Sequence, residues 1–192
     1  MRRFVSNTLF VMLASLVVQT NAQTSQDKTK DAQRHVETAG GFSYIPPDGW
    51  VVRTFPGLKF KVAVGPVAGG FAANLNVVDE EHKGSLEDYV KANQATLERL
   101  LAKFRLIKKD DFRGMDDLPG VRMIIENEQG GKALRQTFFF FANSNTKFVI
   151  TGSTLADGGD KLDAAFENSM KSFRFEKKYL ARRLAASAAG IA

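Results

Sequence analysis

The chain has 192 residues, no cysteine and a formal net charge of +6. Without cysteine there is no thiol catalysis, no cysteine metal centre, no disulfide and no lipobox for an N-terminal lipid anchor, so the core alone must hold the fold. The net charge sits at the two ends: residues 23–175 carry 21 basic and 20 acidic side chains, a near-neutral balance that argues against nucleic acid as the partner.

Taken in chain order, the sequence opens with Arg2 and Arg3, an apolar run from Leu9 to Val18, and Thr20-Asn21-Ala22. This pattern is that of a secretory signal peptide over residues 1–22, cleaved after Ala22. The run is too short for the ~20 residues that span a bilayer, so the expected product is an exported, soluble protein, with the periplasm as the compartment. Residues 23–40, within "QTSQDKTKDAQRHVETAGG", are polar and read as a linker. A single domain is expected over 41–175, followed by a basic, alanine-rich tail over 176–192.

Within the domain, Phe42–Ile45 alternates as a strand. Pro46-Pro47-Asp48-Gly49 predicts a turn with Pro47 second and Gly49 last, and Trp50–Phe55 predicts the return strand. Phe60, Val62 and Val64 share one face of a further strand. Gly65-Pro66 and Gly69-Gly70 bracket a turn before "FAANLNVVDE". Ser85 then caps an amphipathic helix, with Asp88 three residues on. Its stripe is Leu86, Val90, Leu97, Leu100, Leu101 and Phe104.

"RLIKKDDF" and "GVRMIIENE" predict two strands. Gly130-Gly131 predicts a hairpin into "KALRQTFFFFA", and "SNT" turns the chain into "KFVITGS". A second helix follows with Asp160 as its cap and Leu162, Phe166, Ser169 and Phe173 as its stripe; "SFRF" ends the domain. The tight connections predict an α+β fold with a largely antiparallel sheet. Phe138–Phe141 breaks strand alternation, as a strand buried on both faces would. That points to an α/β/α sandwich, with Phe138 and Phe140 under one helical layer and Phe139 and Phe141 under the other.

Four segments in this order carry a resemblance: "GGFSYIPPDGWVV", "FAANLNVVDEEHKGSLEDYV", "DLPGVRMIIENEQGGKALRQTFFFFANSNTKFVITGST" and "FENSMKSFRF". Together they resemble the PsbP-like superfamily over Phe42 to Phe175. In length and layout the chain is most similar to the exported bacterial DcrB-like proteins, without the cysteine of a lipoprotein member. The resemblance implies an α/β/α sandwich. It implies little chemistry, since the superfamily includes lumenal subunits of photosystem II, exported bacterial proteins and factors that bind a Ran-type GTPase, none of them ordinary enzymes.

No nucleophile–histidine set can be assembled from the two histidines, His35 and His82, and no phosphate-binding glycine loop or His-Glu-x-x-His occurs. The chain is therefore expected not to be an enzyme. Asp79, Glu80, Glu81 and His82 are candidate ligands for a divalent cation, with Asp79, Glu81 and His82 as the core set. They read alternatively as a solvated loop before a helix N-terminus. Asp110, Asp111, Asp116 and Asp117 are a second acidic group, or simply a polar turn.

Asn74 and Asn76 share a strand face and, with Trp50, are candidates to line a ligand cleft; the alternative is a solvent-facing strand side. The tail places Leu180, Leu184 and Ile191 near Lys177, Lys178, Arg182 and Arg183, as a membrane-surface helix or an unstructured end. The resulting expectation is an accessory module for an envelope protein or complex. A carrier or sensor for a small ligand or divalent cation is the alternative.

Overall fold

A computed structural model of the chain describes residues 33–176; the expected signal peptide and the tail from residue 177 onward lie outside them. The described residues form β1 (His35–Glu37), β2 (Phe42–Tyr44), β3 (Val51–Arg53), β4 (Val62–Ala68), β5 (Phe71–Glu81), α1 (Leu86–Leu100), β6 (Ala102–Arg113), β7 (Pro119–Gln129), β8 (Lys132–Asn143), β9 (Thr146–Leu155), α2 (Asp163–Lys171) and β10 (Arg174–Phe175). Seven strands make one antiparallel sheet in the order β3-β4-β5-β9-β8-β7-β6. A separate small sheet has β2 between β1 and β10. No helix among the described residues is long and apolar enough to cross a membrane.

β8 lies between β7 and β9, and its four phenylalanines are 3 %, 0 %, 0 % and 0 % exposed. Strand alternation divides them. Phe138 and Phe140 cluster with Tyr89, Val90 and Leu97 of α1. Phe139 and Phe141 cluster with Phe166 and Met170 of α2 and with Phe42 and Phe173. Phe141 stacks on Phe173 with centroids 4.6 Å apart, and Phe112 meets Phe139 edge-on at 4.8 Å. Each buried ring contributes roughly 1.5–3 kcal/mol over an exposed one. The class is therefore α+β, dominated by the antiparallel sheet.

Two arginines clamp α2 to the sheet. Arg122 on β7 donates to both carboxylate oxygens of Asp110 at 2.9 and 2.6 Å and to Glu167 on α2 at 2.7 Å. Arg135 on β8 donates to Asp163 on α2 at 3.0 and 2.7 Å and to Glu126 at 3.1 Å. Both guanidiniums lie in largely dry positions, so bidentate pairing compensates their lost hydration. Arg122 holds the Asp110 carboxyl below its ordinary value. Lys171, and then Arg122, do the same for Glu167.

Several sequence expectations shift. Trp50–Phe55 is not the return strand of Phe42–Ile45: β2 joins the small sheet and β3 pairs with β4. The consecutive prolines Pro46 and Pro47 lack the N–H groups a continuing ladder needs. The turn closes one residue later, by Trp50 N–H to Pro47 O at 3.0 Å, with Gly49 third and at φ 77°. Gly65-Pro66 lies inside β4 at a register shift between Val64 and Val67, a bulge that absorbs the proline.

The expected linker contains β1, whose partner β2 supplies order that local composition does not reveal. At the other end Glu176 is not yet tail: its N–H donates to Gly41 O at 2.9 Å and its carboxylate accepts from Ser43 at 2.6 Å. Ser85 caps α1 by accepting from Asp88 N–H at 3.0 Å. The helix ends at Leu100, which is 54 % exposed, so Leu101 and Phe104 pack from the following segment. Asp160 sits in a 3₁₀ turn, Gly159–Leu162, and does not cap α2.

Replacing Phe140 by alanine is expected to cost about 3–5 kcal/mol in denaturant unfolding, whereas Leu100→Ala should change stability by less than about 0.5 kcal/mol. The carboxylates of Asp110 and Glu167 titrate lower folded than unfolded. Their stabilisation is thus present above the ordinary values of 3.8 and 4.5 and is lost as pH falls through the lower folded values. Thermal unfolding scanned from neutral pH into the acid range should show melting temperature falling below about pH 4.5, with Arg122→Met flattening that dependence.

Candidate functional site

The β2–β3 turn delivers Trp50 to the end of the large sheet. Its indole lies directly on the backbone of Gly65: a Cβ at that position would stand 2.2 Å from Trp50 Cε2. Its other side meets Phe166 of α2 edge-on, with centroids 5.7 Å apart. The bulge at Gly65-Pro66 therefore works as a seat for the ring, a mid-strand glycine marking close approach.

Trp50 is one wall of a groove of about 480 Å³. Val51, Pro66 and Val67 supply the apolar lining, and Asp48 and Arg53 supply charge. Val51 is 49 % and Val67 55 % exposed. β3 ends the sheet beside this groove. At the opposite edge, β6 is charged and twice shifted in register: Lys103, Arg105, Lys108, Lys109 and Arg113 stud it. Lysine and bulges are how exposed edges resist pairing; Val51-Val52-Arg53 carries less of that protection.

Asn74 and Asn76 do not join Trp50. Val78 of the same strand parity packs in the α1 cluster, while Leu75 and Val77 pack with Trp50 in the α2 cluster. The two asparagines thus face away from the indole. Neither lines the groove. Asn74 is buried, and its amide donates to Ala72 O at 3.1 Å. It stands in register with Ser153, which stands opposite Gln136. Gln136 donates to Ser153 Oγ at 3.1 Å and accepts from Asn127 at 2.8 Å. Asn127, Gln136 and Ser153 form a buried polar network across three strands. Its members carry no joint signal in the sequence: the alternate-position neighbours of Gln136 are Leu134 and Phe138, and the network forms only through cross-strand register.

Asp79, Glu81 and His82 do not converge. β5 continues through Glu81, so Asp79 and Glu81 share one face and Glu80 takes the other, while His82 lies beyond the strand's end. Asp79 is taken by Lys59 at 2.6 Å, and Glu81 is exposed. Glu80 accepts from Tyr89 Oη at 3.0 Å; burial and that neighbouring carboxylate raise the phenol's pKa. The His82 ring lies against Tyr89, 5.2 Å between centroids. Among the described residues no group of three or more metal-ligating acids and histidines is assembled. In the second acidic group, Asp110 is bound to Arg122, while Asp116 and Asp117 lie in the β6–β7 turn at φ 55° and 59°.

Sequence reasoning placed His35 in a linker. It lies on β1 with its Nε2 3.5 Å from the Glu37 carboxylate and its ring edge-on to Tyr44. Burial lowers its pKa despite that carboxylate. The cluster fixes β1 to the domain.

Because the chain has one tryptophan, its emission reports on the groove alone. Gly65→Ala must displace the indole: a red-shifted emission maximum and a lower melting temperature are expected, while the far-ultraviolet circular dichroism stays that of the parent.

The sequence matches no protein-family model and no curated protein. The fold does have solved counterparts. The cyanobacterial PsbP protein (CyanoP) of Synechocystis superposes with a TM-score of 0.56 at 18 % identity, covering 74 % of this chain and 91 % of that one. LpqN of Mycobacterium tuberculosis, a protein involved in cell envelope biogenesis, gives 0.54 at 12 % identity, covering 70 % and 83 %. The protein of unknown function PA94 from Pseudomonas aeruginosa gives 0.51 at 15 % identity, covering 64 % and 94 %. At these identities the likeness is one of fold, and the fold is PsbP-like.

Proposed function

We propose that the domain is an exported, non-enzymatic binding module, an α/β/α sandwich of the PsbP-like type, that engages a protein partner of the cell envelope through the groove beside Trp50. The observation carrying this reading is the coincidence of two half-exposed valines, a tryptophan wall and a sheet-terminating strand at one place. Apolar exposure of this kind, rimmed by Asp48 and Arg53, is typical of interaction surfaces. The partner would present an extended segment along β3 and place an apolar side chain against the indole. The involvement of LpqN in cell envelope biogenesis supports an envelope setting, as does the signal-peptide pattern of residues 1–22.

A second reading is a carrier or sensor for a small ligand. It draws on the groove's volume of about 480 Å³, within the range of small-molecule sites. Affinity capture from native envelopes separates the two. The pair Val51→Asp with Val67→Asp should abolish recovery of the partner at unchanged melting temperature, while Leu106→Asp on the opposite edge should not. Undiminished recovery by the double variant would falsify the groove as the docking site. Recovery of no protein by the parent, together with a small molecule in its extract, would favour the second reading.

A further inference from the structure

Three methionines lie among the described residues. Met123 and Met170 are 0 % exposed and pack in the two cores. Met115 is different. It is partly exposed, in the 3₁₀ turn between β6 and β7. Two guanidiniums converge on its sulfur: Arg34, just before β1, and Arg174, in β10, each bring a terminal nitrogen to 3.6 Å from Sδ. The Met115 backbone is also tied down, its N–H donating to Phe173 O at 2.8 Å.

A thioether is a weak acceptor. Two cationic donors directed at one sulfur are better matched to an oxygen carried on it. We propose that Met115 is a site of reversible oxidation, where hydrogen peroxide converts the thioether to a sulfoxide whose oxygen is held by Arg34 and Arg174. The sulfur lone pair attacks one peroxide oxygen; the S–O bond forms as the O–O bond breaks. The departing hydroxide takes the proton from the transferred oxygen and leaves as water. Sulfur loses two electrons and peroxide gains them.

Donors on the sulfur do not make it a stronger nucleophile. Selectivity comes from access, since the other two sulfurs are sealed in the cores, and the product is retained by the guanidiniums. Charge-assisted bonds to an oxygen are stronger than contacts to sulfur. Oxidation should therefore tighten the joint between the β6–β7 turn and the small sheet, where Arg34 also donates to Ser43 Oγ and Ser172 O and Arg174 to Glu176.

The test treats the full chain with dilute hydrogen peroxide and maps the products by peptide mass spectrometry. Met115 should gain one oxygen before Met123 or Met170, and methionine sulfoxide reductases should remove it. Hydrogen exchange should then show β1 and β10 amides exchanging several-fold more slowly in the oxidised protein, and Arg174→Gln should abolish that difference without preventing oxidation. Equal oxidation of the three methionines would overturn the proposal. So would oxidised Met115 with unchanged or faster exchange in β1 and β10.

Discussion

The packing of β8 on both its faces is the constraint on which the molecule depends. Four consecutive phenylalanines cannot lie in a strand with one wet face, because alternation would expose two rings. They demand apolar cover on both sides, and they receive it from different parts of the chain: α1 residues on one face, and α2 with the small sheet's Phe42 on the other. Everything else is fitted around that demand. The arginine clamps set the position of α2 over Phe139 and Phe141. The network of Asn127, Gln136 and Ser153 fills the same sheet where phenylalanine gives way to polar residues. Such a network is satisfied only when its strands are in their proper register.

This arrangement leaves the margins of the sheet as its open surfaces. The centre of the sheet is sealed and the β6 edge is defended by lysines and register shifts. The β3 end is built differently. A glycine within β4 lets an indole lie against the backbone, and that indole joins the α2 core to an exposed groove. The groove is thereby rigid on its inner side, backed by Phe166, and open on its outer side, flanked by Val51 and Val67. A preformed wall of this kind reduces the ordering cost of binding.

Much of the architecture was legible because it is written in local pattern. The Ser85 cap, the Gly130-Gly131 hairpin and the uninterrupted run of β8 each carry their own signal. What escaped depends on packing partners that local composition does not reveal. β1 is too short and polar to announce itself, and becomes a strand only against β2. Gly65-Pro66 resembles a turn locally, yet the indole fifteen residues earlier explains why glycine is there. Asp79 to His82 offered ligand types without a geometry: extended β5 sends Glu80 to Tyr89 and Asp79 to Lys59 on opposite faces. Trp50 lines a groove, while Asn74 and Asn76 belong to the other side of the sheet.

The central claim is that the Trp50 groove is where the domain meets its partner. Emission from the single tryptophan, recorded while the captured envelope partner is titrated into the chain, tests it most directly. A saturable blue shift is expected, as the indole loses water to an apolar side chain, and it should be lost with Val51→Asp and Val67→Asp. Unchanged emission on saturation by a partner shown independently to bind would contradict the claim.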